Sequence, residues 1–237
     1  MDTILITGAT SGIGRAMAVT LAGAGYGVLA LGRNRPALEA LSAEAPGVEG
    51  LALDLADRAG LTAALDGRRI DVLVNNAGMM PMPGAFASME ADAIDRTLAL
   101  NLSHTLWLTR LLLPGMLARG AGHVVFTGSS AGHAPGAGFA AYAASKAGIA
   151  AFATALRAEV SPHGLRVTEL VPGRVETGLY AGVLAEAERA AMYHDGHALQ
   201  PQDVADMLLA LMRLPARASV TRLDLMPTRP VPPVPLS

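Results

Sequence analysis

Short, almost wholly apolar runs alternate with alanine-rich stretches of helical character from one end of the chain to the other. The apolar runs predict seven strands, at residues 3–7, 27–31, 48–54, 71–75, 123–127, 166–171 and 220–225. The stretches between them predict helices at residues 13–24, 36–45, 57–66, 88–118, 141–160 and 202–213. Strands without polar alternation are typical of a parallel sheet that is covered on both faces. The pattern therefore predicts an α/β fold with a doubly wound parallel sheet and helices on both faces.

The same pattern shows no internal repeat or linker, so we expect one Rossmann-like domain over residues 1–226. Residues 178–200 form a connection too long for a routine turn, and we expect it to act as a substrate lid. Residues 227–237 contain five prolines. A segment so rich in proline continues neither helix nor strand, which predicts an extended or disordered tail.

Composition and charge narrow the possible functions. A formal net charge of −2 and a pI near 6.3, without a basic stripe, argue against nucleic-acid binding. The chain has no cysteine, which excludes disulfides and thiolate chemistry. The first strand begins too early for a signal peptide and the apolar run at 106–126 is interrupted by Arg and Pro, so we expect a cytoplasmic protein without a membrane span.

His194 and His197 have the spacing of helical metal ligands, but no acid cluster or cysteine accompanies them, and we expect no metal.

A glycine-rich turn follows the first strand and opens the first predicted helix. Glycines there allow a sharp turn and the close approach of a pyrophosphate to free N–H groups at the helix start. The position at a strand-to-helix junction makes this a specific signal for a dinucleotide. We expect the coenzyme to be contacted here by Gly8, Thr10, Ser11, Gly12, Ile13 and Gly14.

The chain has one lysine, Lys146, among 18 basic residues, and Tyr142 precedes it by four positions. A surface cation tolerates exchange for arginine, whereas a compact ammonium that must reach a fixed point does not. Positions i and i+4 of a helix share a face, so the two side chains would lie together. The pair therefore suggests a catalytic tyrosine that transfers protons, beside a catalytic lysine whose ammonium stabilises the charge on the tyrosine.

These motifs resemble the short-chain dehydrogenase/reductase family over residues 3–226. The glycine turn is similar to the family's Thr-Gly-x-x-x-Gly-x-Gly, residues 75–78 to its Asn-Asn-Ala-Gly, and residues 142–146 to its Tyr-x-x-x-Lys. The resemblance implies an oxidoreductase that interconverts a secondary alcohol and its carbonyl compound with a nicotinamide coenzyme. A small carbonyl or alcohol would then be the partner, with no nucleic acid or membrane.

The resemblance also implies roles for individual residues. Its catalytic set corresponds to Asn101, Ser129, Tyr142 and Lys146. Ser129 fits because it lies three residues before Gly132 and thirteen before Tyr142, whereas Ser130 fits neither count. The remaining coenzyme contacts correspond to Asp54 and Leu55 near adenine, and to Asn76, Ala77, Gly78, Tyr142, Lys146, Pro172, Gly173, Val175 and Thr177.

The end of the second strand bears on the choice of coenzyme. An enzyme specific for NAD usually carries an acid there for the ribose 2′-hydroxyl. This chain has Gly32 followed by Arg33, and a guanidinium suits a 2′-phosphate. We therefore expect NADP(H) rather than NAD(H). The family's second basic residue that favours NADP is replaced here by Ser11, which implies that the preference for NADP(H) over NAD(H) is modest.

The chemistry of the reaction explains the residue types. A tyrosine of ordinary pKa near 10 is a poor proton acceptor at neutral pH. We expect the Lys146 ammonium and the cationic nicotinamide to lower the pKa of Tyr142. Ser129 would hold the substrate oxygen. Asn101, by the resemblance, would anchor a water that serves the lysine.

Substrate choice is expected in three segments: residues 79–82, residues 133–135, and the 178–200 segment around Tyr180, Met192, Tyr193 and His194. We interpret Arg174 as an exposed loop arginine rather than a partner of a substrate carboxylate. The sequence of the last strand resembles that of the family branch whose members oxidise small 3-hydroxy acids. A larger biosynthetic intermediate remains an alternative substrate, and a non-catalytic nucleotide-binding regulator a remote one.

The predicted helices at 101–118 and 141–160 are too apolar around their circumference to face only water. The family pairs these helices between subunits, so the resemblance implies a homodimer or homotetramer built on them.

Overall fold

The protein, represented by a computed structural model, is described over residues 2–193 and 196–229. Its strands are β1 (Thr3–Thr7), β2 (Gly27–Gly32), β3 (Val48–Ala52), β4 (Val72–Asn75), β5 (Gly122–Thr127), β6 (Leu165–Pro172) and β7 (Arg222–Leu225). Its helices are α1 (Gly12–Gly23), α2 (Arg35–Glu44), α3 (Arg58–Leu65), α4 (Ala91–Leu98), α5 (His104–Arg119), α6 (Ser130–His133), α7 (Ala140–Val160), α8 (Glu186–Tyr193) and α9 (Pro201–Met212). Each predicted strand is found, with ends that differ by up to two residues.

All seven strands form one parallel sheet in the order β3-β2-β1-β4-β5-β6-β7. The order reverses between β1 and β4, where the chain begins to wind in the opposite direction. Connections diverge from the carboxyl ends of the strands at such a point and leave a crevice between them. The predicted single-domain, doubly wound fold is confirmed, and the crevice marks where a site is expected.

The core consists of two apolar layers, one on each face of the sheet. Side chains of α1, α2 and α9 cover one face, with Met17 and Leu208 fully buried. Side chains of α3, α5 and α7 cover the other, with Leu108 and Phe126 fully buried. Because both faces are covered, the strands carry apolar residues at successive positions, which is the pattern that the sequence displays.

Local sequence signals account for several helix ends. The Asn34 side chain accepts a hydrogen bond of 3.1 Å from the N–H of Ala37 and caps α2. Asp57 caps α3 in the same way. Gln200 and Asp203 form a reciprocal capping box at the start of α9. Gly120 ends α5 with a left-handed φ of 62°.

Two predictions about these elements need correction. The helix predicted at 88–118 is interrupted: α4 and α5 are separated by a π-helical turn, Ala99–Ser103. This turn holds Asn101, which is only 2% exposed. The third strand ends at Ala52, so Asp54 lies in the loop beyond the strand and not at its end.

The connection at 178–200 contains a 3-10 turn, Gly178–Tyr180, and the short helix α8. A single β-bridge between Val175 and Leu199 joins its two ends. Residues 194–195 and 230–237 lie outside the described part of the chain, and with them the predictions about His194 and most of the proline-rich tail. Every helix within the described ranges is too short or too polar to cross a membrane.

Candidate active site

A cleft of about 810 Å³ opens at the carboxyl ends of the strands, where β1 and β4 diverge. It is lined by all the residues predicted to contact the coenzyme except Gly14. Three of the four predicted catalytic residues, Ser129, Tyr142 and Lys146, line the same cleft, whereas Asn101 does not. Residues that are far apart in the sequence therefore meet in one continuous space.

The glycine turn is shaped by steric limits. Gly8 and Gly12 have backbone φ angles of 66° and 51°, which residues with a Cβ rarely adopt. A Cβ on Gly8 would lie 2.9 Å from the Cα of Ala77. A Cβ on Gly14 would overlap the carbonyl oxygen of Gly8 and the Asn76 amide. Gly14 is thus required for packing α1 under the turn and not for lining the cleft.

The turn after β4 is tied to the end of β1. The N–H groups of Asn76 and Ala77 both donate to the Thr7 hydroxyl, each at 2.9 Å. The Asn76 side chain also donates to the Thr7 carbonyl at 3.0 Å. These bonds hold the loops after β1 and β4, which both line the cleft, against each other.

A side chain in place of Gly32 at the end of β2 would crowd Thr10. A Cβ on Gly32 would lie 2.7 Å from the Cγ2 of Thr10, so any longer side chain there would displace that neighbour. Arg33 follows with a side chain that is 77% exposed, and its Nη1 lies 3.5 Å from Asp54 Oδ2. A long contact of this kind between exposed groups is weak, so the guanidinium remains available to an anion.

Tyr142 and Lys146 are both buried on α7, at 6% and 5% exposure. Lys146 Nζ donates to the Thr127 carbonyl at 2.8 Å and lies 5.8 Å from the centroid of the Tyr142 ring. A side-chain hydrogen bond joins Ser129 to Tyr142. Ser129, Tyr142 and Lys146 thus form one connected group at the inner end of the cleft.

The electrostatics of this group differ from expectation. Burial raises the pKa of Tyr142 to about 12, although the hydrogen bond from Ser129 acts in the opposite direction. Burial lowers the pKa of Lys146 to about 8, opposed by the Glu169 carboxylate. The predicted lowering of the pKa of Tyr142 is therefore not a property of the protein chain alone.

Asn101 is engaged with the backbone beside the cleft. Its Oδ1 accepts from the N–H of Met79 at 2.8 Å, and its Nδ2 donates to the Met79 carbonyl at 2.9 Å and to Ser145 at 3.1 Å. A Cβ on Gly78 would lie 3.3 Å from Asn101 Oδ1 and 3.7 Å from Lys146 Nζ. Asn101 therefore fixes the loop that passes directly over the lysine.

Glu169 is a residue of the site that the sequence analysis missed. Its side chain is 5% exposed, and Oε1 lies 2.9 Å from His133 Nε2. A Cβ on Gly128 would overlap the same carboxylate, so Glu169 lies directly beneath the loop that carries Ser129. An acid within the apolar strand at 165–172 was the available signal, because such a residue requires a partner when buried.

The residues expected to set specificity divide into two groups. Met80, Tyr180 and Met192 pack around Tyr142 in one buried cluster, and Met79 and Ala134 line the cleft. Met82, in contrast, is 56% exposed, and His133 turns away toward Glu169. Arg174 also lines the cleft and is only partly exposed, so its interpretation as an exposed loop arginine is wrong.

Among the described residues, no group of three His, Cys, Asp or Glu side chains converges to hold a metal ion. The polar lining of the cleft instead consists of backbone amides, hydroxyls and a few charged side chains. A doubly wound sheet with a glycine turn and a buried tyrosine–lysine pair defines the class of dinucleotide-dependent oxidoreductases.

A sequence model of the short chain dehydrogenase family matches residues 2–188. The chain is 43% identical over 228 residues to an uncharacterized short-chain type dehydrogenase/reductase of Sinorhizobium fredii, covering 96% of this chain and 92% of the relative. It is 34% identical over 233 residues to an NADP-dependent 3-hydroxy acid dehydrogenase of Salmonella typhi, covering 94% of each chain. The closed form of a serine dehydrogenase complexed with NADP+ superposes with a TM-score of 0.91 at 30% identity, covering 94% of each chain.

The chain therefore belongs to the short-chain dehydrogenase family. It is an oxidoreductase of the kind that acts on CH–OH groups with a nicotinamide coenzyme.

Proposed function

We propose that the protein uses NADP(H) to interconvert a small hydroxy compound, such as a hydroxy acid, and the corresponding ketone or aldehyde. The observation that carries this proposal is the convergence of Ser129, Tyr142 and Lys146 at the inner end of the cleft, while the glycine turn forms its other end. The relative that is named an NADP-dependent 3-hydroxy acid dehydrogenase and the serine dehydrogenase structure with NADP+ support the same coenzyme and substrate class.

The cleft would hold the dinucleotide along its lining residues. The coenzyme, when bound, supplies or accepts the hydride. The turn from Gly8 to Gly12, where both glycines have positive φ and a Cβ on Gly8 would lie 2.9 Å from the Cα of Ala77, would accept the pyrophosphate. Arg33 would pair with the 2′-phosphate, and Asp54 would contact adenine. Val175 and Thr177, on the loop after β6, would hold the carboxamide end.

Tyr142 would donate a proton to the carbonyl oxygen in reduction and take it back in oxidation. Ser129 has one hydroxyl proton, which it shares with Tyr142 in this structure. With substrate bound, Ser129 would turn this proton to the carbonyl oxygen and hold it beside Tyr142. Lys146 would hold its charge behind the tyrosine and contact the ribose. Because burial, the largest influence, raises the pKa of Tyr142 to about 12, the protein favours the phenol, the form that protonates a carbonyl.

The segment at 178–200 would act as the lid over the substrate, since Tyr180 and Met192 already pack against Tyr142. Helices α5 and α7 would form the interface of a homodimer or homotetramer. The exposed positions of α7 include Ala144, Ala147 and Ala151, small residues that allow two helices to approach closely. The cytoplasmic location stays a prediction.

NADPH consumption across a panel of carbonyl compounds tests this function, with hydroxy acids and NADP+ for the reverse direction. We expect turnover of at least one group of small carbonyl compounds. The proposal would be contradicted if NADPH binds with ordinary affinity but is not consumed with any compound of a broad panel. That result would favour a nucleotide-binding regulator.

A further inference from the structure

The charges that line the cleft are divided between its two ends. Of the described residues that line it, those with formal charge are Arg33, Asp54, Lys146 and Arg174. The first two face each other at the adenosine end, 3.5 Å apart. The two at the reaction end, Lys146 and Arg174, are both cationic. The described lining of the reaction end therefore presents positive charge and no carboxylate.

Lys146 is poorly placed to meet the far end of a substrate. Its ammonium is buried, donates to the Thr127 carbonyl at 2.8 Å and lies 5.8 Å from the centroid of the Tyr142 ring. Arg174, in contrast, lies on the loop that follows β6 and is partly exposed within the cleft. Of these two cations, Arg174 is the one whose side chain is partly exposed within the cleft.

The backbone that carries Arg174 is held in place. The Arg174 carbonyl accepts from the N–H of Leu199 at 3.0 Å, and the N–H of Glu176 donates to the Leu199 carbonyl at 2.8 Å. These bonds flank the bridge between Val175 and Leu199. A side chain that starts from a fixed backbone loses less entropy when it binds a ligand than one on a free loop.

Arg174 is also connected to the reacting tyrosine. Its guanidinium donates a hydrogen bond to Tyr180. Tyr180 is 8% exposed and belongs to the same buried cluster as Tyr142. Interactions of Arg174 are not limited to Tyr180, and an incoming anion would share or exchange them.

We infer that Arg174, supported by Tyr180, binds the anionic group of the substrate while Ser129 and Tyr142 hold its carbonyl or hydroxyl oxygen. This assignment rests on the proposed function and narrows it. The substrate is a short carbonyl compound or hydroxy acid whose far end carries a carboxylate or a sulfonate. A carboxylate offers two coplanar oxygens and a sulfonate offers three oxygens around a tetrahedral sulfur, and two oxygens of either group can accept parallel hydrogen bonds from a guanidinium.

The decisive comparison uses a matched pair of aldehydes and NADPH: succinic semialdehyde and its methyl ester, which differ in one negative charge. A hydrogen bond to a charged group contributes about 1.5–3 kcal/mol, or roughly 10- to 150-fold in kcat/KM. We expect the unmodified enzyme to prefer the acid by a factor of this order. A sulfonated aldehyde, run in parallel, tells which anion fits better.

The variant Arg174→Gln removes the charge and keeps a polar side chain. We expect it to lower kcat/KM for the acid by about 10- to 100-fold and to change kcat/KM for the ester by less than about threefold. Arg174→Lys should recover part of the loss. Arg217→Gln, which removes an exposed arginine outside the cleft, serves as the matched control and should change neither value.

Two outcomes would overturn the assignment. Equal use of acid and ester by the unmodified enzyme would do so without any variant, which covers the case in which Arg174→Gln does not fold. Equal losses on both aldehydes in Arg174→Gln would do so as well, and would leave the proposed function standing. Failure to consume NADPH with any carbonyl compound would instead remove the proposed function, and this assignment with it.

Discussion

At the scale of single residues, the site places ionisable groups where burial opposes their charge. Lys146 is 5% exposed, and burial lowers its pKa to about 8. The Glu169 carboxylate counteracts this lowering from beneath the Ser129 loop. The charge on the lysine near neutral pH therefore depends in part on an acid that does not line the cleft.

Replacing Glu169 by Gln tests this dependence, because the amide keeps a hydrogen bond to His133 and loses the charge. The pH profile of kcat/KM for NADPH reports ionisations of the free enzyme. We expect kcat/KM to fall above about pH 8 in the unmodified enzyme as Lys146 loses its proton. Without the carboxylate the ammonium is less stable, its pKa falls further, and the midpoint of the decline moves to lower pH.

The control for this experiment is Glu49→Gln, which removes an exposed carboxylate on β3 that pairs with Arg68. It should leave the midpoint where it is. An unshifted midpoint in Glu169→Gln, with the protein folded, would show that the carboxylate does not set the charge of Lys146.

Arg33 governs a second prediction at this scale. A guanidinium that meets a 2′-phosphate makes a charge-assisted contact, whereas the 2′-hydroxyl of NADH offers none. Arg33→Ala should lower kcat/KM for NADPH by about tenfold and leave that for NADH unchanged, since the side chain is exposed and its contact is partly screened. Steady-state kinetics with both coenzymes measure this. The neighbouring exposed Arg35 provides the control Arg35→Ala, and a loss with both coenzymes, or with neither, would refute the role of Arg33.

At the scale of elements, the glycine turn and α1 pack so closely at Gly14 that a side chain at this position would overlap its neighbours. Gly14→Ala brings a Cβ onto the Gly8 carbonyl and the Asn76 amide. We expect a loss of stability of about 1–3 kcal/mol, typical of an overpacked site, together with weaker NADPH binding because the turn is displaced. Urea unfolding and a fluorescence titration with NADPH measure the two effects.

The same helix offers a matched control. A Cβ on Gly23, the last residue of α1, would meet nothing within 4 Å. Gly23→Ala should therefore leave NADPH binding unchanged and be neutral or slightly stabilising. Equal behaviour of the two alanine variants would mean that the close packing at Gly14 is not what shapes the turn.

Most elements could be predicted from the sequence because their signals are local. The apolar runs identified all seven strands, and the i, i+4 spacing placed Tyr142 and Lys146 on one face of α7. The sequence did not reveal the π-helical turn at 99–103, because its extra residue leaves the apolar pattern almost unchanged. It also did not reveal the pairing of Glu169 with His133, or the place of Arg174 in the cleft, since both depend on contacts between segments that are distant in sequence.

At the scale of the whole molecule, α5 and α7 leave a surface of small and apolar residues. Leu106 and Leu113 are only partly buried within the subunit, and Ala147 is exposed. Light scattering after size exclusion should give a dimer or tetramer. Ala147→Glu should shift the mass toward the monomer, because it places an unpaired charge in a closely packed interface.

The exposed Ala40 of α2 serves as the control position for that change. Ala40→Glu should keep the oligomer intact. A monomer in the unmodified protein, or an unchanged mass in Ala147→Glu, would remove the proposed interface.

The central claim is that Tyr142 transfers the proton that accompanies the hydride. The most direct measurement is single-turnover consumption of NADPH by Tyr142→Phe, using a carbonyl compound that the unmodified enzyme reduces. The variant lacks only the hydroxyl, so we expect NADPH still to bind, with at most a few-fold weaker affinity from the lost coenzyme contact, while the rate falls by about 10²- to 10⁴-fold. Tyr26→Phe, remote from the cleft, should retain the full rate. A rate in Tyr142→Phe within a few-fold of the unmodified enzyme would contradict the account.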